Sequence, residues 1–403
     1  MKILGEIKSK ETESTKSTTA KTVNLAGYRK KKSRTKRLVK LSLTLVGAAA
    51  FLYVWINADQ IFEPLRGIAS KIETRTSNEV GFPITLPGSA GYSFERFGEN
   101  FSLLTDTYLY AYETTGKQIY ARRHGYSNPA QATSSRRILL YDKSAYSFAV
   151  YNRTSLIFEQ SVEDKIVYGT VSENDLTAIV TSSARYSNII YVYDSGGNWK
   201  YTRKLADENV MQIGFSDSEH MIVSTVSADN GEIVTNYYCF SIRSTEGYEW
   251  KYSFKKNSLS CGMYVDSDKV ISVCDNRAIL LDTSSGELLG EYEFDGELRD
   301  FEITANGTAI YYNDVSSNRN LITVLDAELL PVGTYSVTSA VQRILLENGL
   351  LYVLDGTRLK IYGSDLTDGQ EIVSLSEDYT NFIKIGDSVY LLGYDVVAEE
   401  RIG

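Results

Sequence analysis

Of 403 residues, only two are histidine, three cysteine, five proline and three tryptophan. The scarcity of histidine removes whole classes of chemistry. His124 and His220 stand about two repeats apart, and neither has a Cys or Glu neighbour at metal-ligand spacing, so the sequence offers no metal centre. A Ser-His-Asp triad would need one of them as its base, and no nucleophile-elbow context marks a serine for it. Both histidines read as surface or loop residues. Three cysteines allow one bridge at most. Catalytic, cofactor-binding and metal sets are all absent, and no cofactor is expected.

What the chain does have is a run of basic residues set against an apolar stretch. Arg29, Lys30, Lys31, Lys32, Arg34, Lys36, Arg37 and Lys40 precede Leu41 to Ile56, 16 residues without a charge. Residues 38–58 approach the roughly 20 that a spanning helix needs. Leu41, Phe51, Tyr53, Trp55 and Ile56 mark the span, with Tyr53 and Trp55 at its far end, where amphipathic rings favour the lipid headgroups. The basic flank holds the N-terminus on the cytoplasmic side. The expectation is a single-pass protein of the cell membrane, cytoplasmic at its N-terminus and extracellular after Asn57. A cleaved signal peptide fits less well, because the basic region lies 40 residues in and Ile56 occupies a position where a cut before Asp59 would want a small residue.

Charge divides at the same junction. Residues 1–40 carry 13 Lys and Arg against three Glu, a net of +10, while the remainder carries 29 basic against 48 acidic residues, a net of −19. A basic juxtamembrane tail is drawn to anionic lipid by about 1 kcal/mol per well-placed cation, which makes membrane lipid a partner. No aromatic platform is interleaved with the charges, so nucleic acid is not an expected one. Lys8 to Thr22 is too polar to bury a core. Ile61 to Ile72 has helix-like apolar spacing and reads as a short stalk. The layout is therefore a disordered tail over 1–37, a transmembrane helix over 38–58, a stalk and linker over 59–79, and an ectodomain over 80–403.

The ectodomain lacks any extended helical pattern. Short β-branched and aromatic runs recur instead, each closed by a turn, as in hairpins in series. Tyr108 to Tyr112 ends at Glu113-Thr-Thr-Gly116, Ile190 to Tyr193 at Asp194-Ser-Gly-Gly197, Ala278 to Leu281 at Asp282-Thr-Ser-Ser-Gly286, and Ile322 to Leu325 at Asp326. The marker acids are 81, 88 and 44 residues apart, which is two, two and one units of propeller-blade size. One unit reads whole: Cys261 to Val265, Val270 to Cys274, Ala278 to Leu281 and Leu288 to Phe294. Inner strands near Phe94, Ile138, Val167, Ile213, Met263, Phe301, Ile344 and Ile383 give eight blades. The fold class is thus all-β, a propeller of four-stranded blades after one transmembrane helix. Seven blades stay open as an alternative, because the unit from Arg137 to Lys165 has a meagre outer strand. The last unit shows two clear strands and is expected to borrow Phe82 to Leu86, closing the ring and its exposed edges.

At the turns, Tyr110-Ala-Tyr-Glu-Thr-Thr-Gly116-Lys and Leu280-Leu-Asp282-Thr-Ser-Ser-Gly286-Glu resemble the repeat of pyrroloquinoline-quinone-dehydrogenase-like and WD40-like propellers. The resemblance implies the fold and not the chemistry. Those repeats carry a docking Trp in the outer strand, whereas the matching positions here read Ile119-Tyr120 and Leu289-Gly290, and Trp250 alone fits. The whole layout of basic tail, single span and Tyr-rich propeller resembles a membrane-anchored family of Gram-positive bacteria, a domain of unknown function. That resemblance brings no activity with it.

Three further features bear on function. If Ser267 and Asp268 form a two-residue loop, counting outward brings Cys261 opposite Cys274 as a non-hydrogen-bonded pair, which admits either a strained disulfide or two small buried residues and leaves Cys239 alone. Glu291, Glu293, Asp295, Glu297, Asp300 and Glu302 crowd one strand and its connection, and their alternation reads as a solvated face. The 30 tyrosines suit strand packing between blades before they suit sugar stacking. The functional expectation is a non-catalytic binding, sensing or scaffolding module at the cell envelope, whose partner is an unknown envelope protein, peptide or glycan. The alternative is a propeller enzyme, a glycan hydrolase or quinone-dependent oxidoreductase, which would show carboxylates or a metal converging on the central channel.

Overall fold

Eight apolar clusters, one at each junction between neighbouring blades, hold the molecule together. The computed structural model describes residues 81–86, 92–363 and 371–402. The basic flank from Arg29 to Lys40, the span with Leu41, Phe51, Tyr53, Trp55 and Ile56, and the stalk lie outside the described residues. Among those described, no helix is long and apolar enough to cross a membrane.

The described strands form eight four-stranded antiparallel sheets. Blade 1 runs from Ser93 to Arg123, blade 2 from Pro129 to Ser161, blade 3 from Ile166 to Leu205, and blade 4 from Asn209 to Lys255. Blade 5 spans Ser260 to Glu293, blade 6 Gly296 to Val337, and blade 7 Arg343 to Ser374. Blade 8 takes three strands from Asn381 to Arg401, and its fourth, Ile84–Thr85, comes from the other end of the propeller through the pairs Ile84 with Val397 and Thr85 with Val396. The borrowed strand is as expected. The third strand of that blade, Val396–Arg401, was not legible, since Val-Val-Ala-Glu-Glu-Arg carries little β signal.

Burial follows sequence pattern strand by strand. Middle strands such as Ile138–Asp142 and Thr177–Thr181 are buried at every position. They are sandwiched between adjacent blades, which selects continuous apolar runs over alternation. Outer strands such as Leu288–Glu293 alternate between exposed and half-buried. Each fully buried Ile, Leu or Val contributes roughly 1.5–3 kcal/mol. Tyr237, Tyr352, Tyr362 and Tyr390 are among the largest fully buried side chains, so tyrosine here is largely core.

The structure settles the blade count at eight. The meagre outer strand of blade 2, Leu156–Ser161, pairs with Ser147–Tyr151 like any other. Its inner strand differs from expectation: Ile138 lies in the second strand, and the inner one is Pro129–Thr133. Pro-Ala-Gln-Ala-Thr has no large β-former, and a first strand with a neighbour on one side alone tolerates proline.

Third-turn glycines dock blades 3 and 5 on the blade before each. Gly286, at φ +70°, lies against the Trp250 ring of blade 4, and Trp250 Nε1 donates to Thr283 O at 2.8 Å. A Cβ on Gly197 would meet Phe158 of blade 2 at 2.6 Å. Trp250 thus does the docking that its position implies, with Phe158 in the equivalent role between blades 2 and 3.

The cysteine register is corrected. Val265 faces Val270 and Gly262 faces Val273, but a bulge then places Ser260 opposite Cys274. Cys261 is the extra residue, exposed, while Cys274 is buried, and Cys239, Cys261 and Cys274 are all free. A count that assumes an unbroken ladder misses one inserted residue. The bulge is not isolated. The inner strands of blades 3, 4 and 6 shift register likewise around Val167, Met211 and Arg299.

Candidate functional site

The first strands of successive blades face the channel of a propeller. Where those of blades 6, 7, 8 and 1 meet, they enclose a cavity of about 730 Å³. In blade 7, Arg343, Leu345 and Glu347 are half-buried on one face of the strand, and Ile344 and Leu346 are buried on the other. Both charged residues and the leucine between them line the cavity. In blade 6 the Phe301 ring covers Gly262 of blade 5, so Asp300 and Glu302, one residue to either side, turn the opposite way.

Arg343 binds both of these acids, through Nη1 to Asp300 Oδ1 at 2.7 Å and through Nη2 to Glu302 Oε2 at 2.8 Å. Asp300 Oδ2 also accepts from the amide of Ile344 at 2.8 Å. At the other end Glu347 takes Arg96 of blade 1 at 2.9 Å and Lys384 of blade 8 at 3.1 Å. Glu95, also of blade 1, completes the lining.

Two carboxyls here are perturbed in the same direction. Glu302 is pushed up to about 7, chiefly because protein surrounds it and hydrates it poorly; Arg343 works against this, and Asp300 and Glu95 add to it. Glu95 is raised for the same first reason, opposed by Arg343 and by the Ser93 hydroxyl. Glu95 is nevertheless exposed to solvent as well as lining the cavity. A second pocket of about 430 Å³ shares Gln342 and Arg343 with the first and is also lined by Arg299, Asp300, Tyr311 and Asn320.

The acidic run that read as one solvated face is therefore divided. Glu291 and Glu293 sit on the outer strand of blade 5, where both bind Lys256 and buried Arg277. Asp300 and Glu302 sit on the inner strand of blade 6, where Glu302 lines the cavity and Asp300 the second pocket. Sequence reasoning missed Glu95, Arg96, Arg343, Glu347 and Lys384 altogether, because nothing local distinguishes them from surface charges.

The histidines are not brought together. His124 follows blade 1 and donates from Nε2 to Thr105 O at 3.1 Å, and partial burial lowers its pKa. His220 opens the second strand of blade 4, with Nδ1 2.8 Å from Asp217 Oδ2 and Nε2 3.4 Å from Glu249, and the Asp217 bond raises its pKa. Among the described residues, no group of three His, Cys, Asp or Glu has the geometry to hold a metal ion. Asp229-Asn-Gly231 and Asp266-Ser-Asp268 are hairpin turns: Asn230 and Gly231 have positive φ, and Asp266 Oδ1 accepts from the amides of Asp268 and Lys269.

The model of a family of unknown function, DUF5711, matches residues 73–392. No curated protein matches the sequence. Among solved structures, BamB from Moraxella catarrhalis superposes with a TM-score of 0.56 at 9% identity, over 80% of this chain and 99% of that one. Sqt1 of Saccharomyces cerevisiae gives 0.58 at 11% identity over 81% and 100%. The WD40 domain of SCAP from fission yeast gives 0.53 at 10% identity over 80% and 98%. At such identities the likeness is one of fold.

Proposed function

The chain belongs to the DUF5711 family of unknown function, and we propose that it is a single-pass membrane protein of a Gram-positive cell whose extracytoplasmic propeller is a non-catalytic binding module for sensing or scaffolding at the envelope. The anchor reading rests on the basic run from Arg29 to Lys40 followed by the uncharged stretch from Leu41 to Ile56. The binding reading rests on one observation: the cavity at the inner ends of blades 6, 7, 8 and 1 has the size of a ligand pocket, and its polar groups are held in place by ion pairs across blades. Preorganised groups of this kind reduce the ordering cost of recognition. The partner is an envelope protein, peptide or glycan, and the basic tail meets membrane lipid.

Protease treatment of intact cells carrying a tag after Gly403 tests the orientation. Loss of the tag supports the extracytoplasmic reading, and protection that ends on lysis sinks it. Photo-crosslinking from Leu345 in living cells tests the binding role, which fails if no species is captured that an exposed position, Tyr394, does not also capture.

The enzyme reading keeps one supporting observation, namely Glu302 titrating near neutrality in a cavity that Glu95 shares. A carboxyl of this kind is suited to general-acid work on a glycosidic bond. Release of reducing ends from isolated cell-wall glycan, abolished by Glu302→Gln, would establish it.

A further inference from the structure

The charged half of the ring is built differently from the rest. Between blades 1 and 2, and between blades 4 and 5, the inner strands are joined by neutral amides: Gln131 Nε2 donates to Ser93 O and Gln212 Nε2 to Cys261 O, both at 3.0 Å. Ring assembly therefore does not call for charge at this radius. Charge is concentrated where the cavity is.

Within the cavity the cations are already committed. Arg343 divides its two terminal nitrogens between Asp300 and Glu302. Arg96 serves Glu347, Gly98 O and Lys384 O, and Lys384 serves Glu347 and Gly386 O. Among the described residues, Glu95 has no ion-pair partner, and Glu302 is paired through a single oxygen. The cavity is lined by as many carboxylates, Glu95, Glu302 and Glu347, as cations, Arg96, Arg343 and Lys384, but Arg343 is shared with Asp300, which lies outside the lining. Between the two charged ends lies Leu345, an apolar surface rather than a further ligand.

We propose that this cavity binds one organic cation, an ammonium or guanidinium group on an aliphatic stem, with the cationic head at Glu95 and Glu302 and the stem along Leu345. The proposal rests on the binding-module reading and specifies its ligand. A charge-assisted bond to each carboxylate satisfies acceptors that the protein's own cations leave over. A bare metal ion is a poorer fit, since no group of three suitable ligands converges among the described residues. The Glu302 carboxyl, raised chiefly by burial, implies that binding below neutral pH expels a proton.

The test uses full-length protein in detergent micelles, titrated calorimetrically with n-butylammonium, n-butylguanidinium, butyrate, and the peptides Gly-Lys-Gly and Gly-(acetyl-Lys)-Gly. The expected result is binding of both cations and of Gly-Lys-Gly, but not of butyrate or the acetylated peptide. It should tighten from pH 5.5 to 8 and release protons near pH 6, as read from two buffers of different ionisation enthalpy. Glu95→Gln and Glu302→Gln, each checked for an unchanged melting temperature, should weaken binding at least tenfold. Tighter binding of Gly-Lys-Gly than of butylammonium identifies the source as a side chain on a protein, and the reverse identifies a small free amine. Failure of every cation to bind at millimolar concentration overturns the proposal, as does binding without proton release that survives both substitutions. The cross-linking experiment with Leu345 is decided separately, so the cation can fail while the binding module stands.

Discussion

The Tyr390 hydroxyl donates to Thr114 O at 3.1 Å, joining the eighth blade to the third turn of the first across 276 positions of sequence. Phe101 lies 5.4 Å from both Tyr112 and Tyr390, and Leu86 and Val397 are buried in the same cluster. Closure of the ring thus depends on side chains from both ends of the propeller.

Leu86→Ala is expected to cost about 2–5 kcal/mol, the usual range for a fully buried leucine, and Tyr390→Phe about 1 kcal/mol. Urea unfolding of the full chain measures both. A cost below about 1 kcal/mol for Leu86→Ala would mean that the borrowed strand does little to hold the ring.

Gly286→Ala should destabilise by about 1–3 kcal/mol, because it combines a positive φ with a Cβ driven into the Trp250 ring. In a Trp250→Leu background the same change should cost measurably less, since the steric part is relieved. Equal costs in the two backgrounds would show that blade docking at this turn does not involve the indole.

One thiol per chain should react with a maleimide under native conditions, and Cys261→Ser should abolish the reaction. Cys261 is exposed, whereas Cys239 and Cys274 are buried. Labelling should be slow at pH 8 and accelerate as pH rises, because poor hydration and the nearby Asp275 push the Cys261 thiol up to about 11. Mass spectrometry of the labelled peptide decides the site.

Stability should fall as pH rises from about 4.5 to 7 through Glu302. Its folded value of about 7 lies above the ordinary carboxyl value of the unfolded chain, so the folded state binds the proton more tightly across that window. Glu302→Gln should flatten this part of the melting-temperature profile. An unchanged slope would remove Glu302 as its source.

His220 gives a second pH signature. Its folded pKa is raised by the Asp217 bond, so the associated stabilisation is complete below the ordinary histidine value and is lost as pH rises through the higher folded one. In His220→Gln, the decline in melting temperature between about pH 6 and 8 should be smaller than in the parent protein; an identical decline would show the Asp217 contact to be energetically silent.

Most of the architecture was readable from local pattern. The outline of blade 5 matches its strands to within a residue or two, because turn acids, glycines and β-branched runs act over a few residues. Pro129–Thr133 and Val396–Arg401 escaped because their strand state comes from neighbours rather than from propensity. Cys261 was misplaced by one bulge, a feature with no distinct residue code.

By itself, the sequence determined a repeat of blade-sized units, the borrowed closing strand and the uncharged stretch behind a basic run, since each is written in contiguous residues. The tertiary structure alone decided the site. Glu95 and Glu302 stand 207 residues apart in sequence and share a cavity only once the ring closes. Whether a carboxylate is solvated or raised toward neutrality depends on the protein packed around it, which a one-dimensional pattern does not contain.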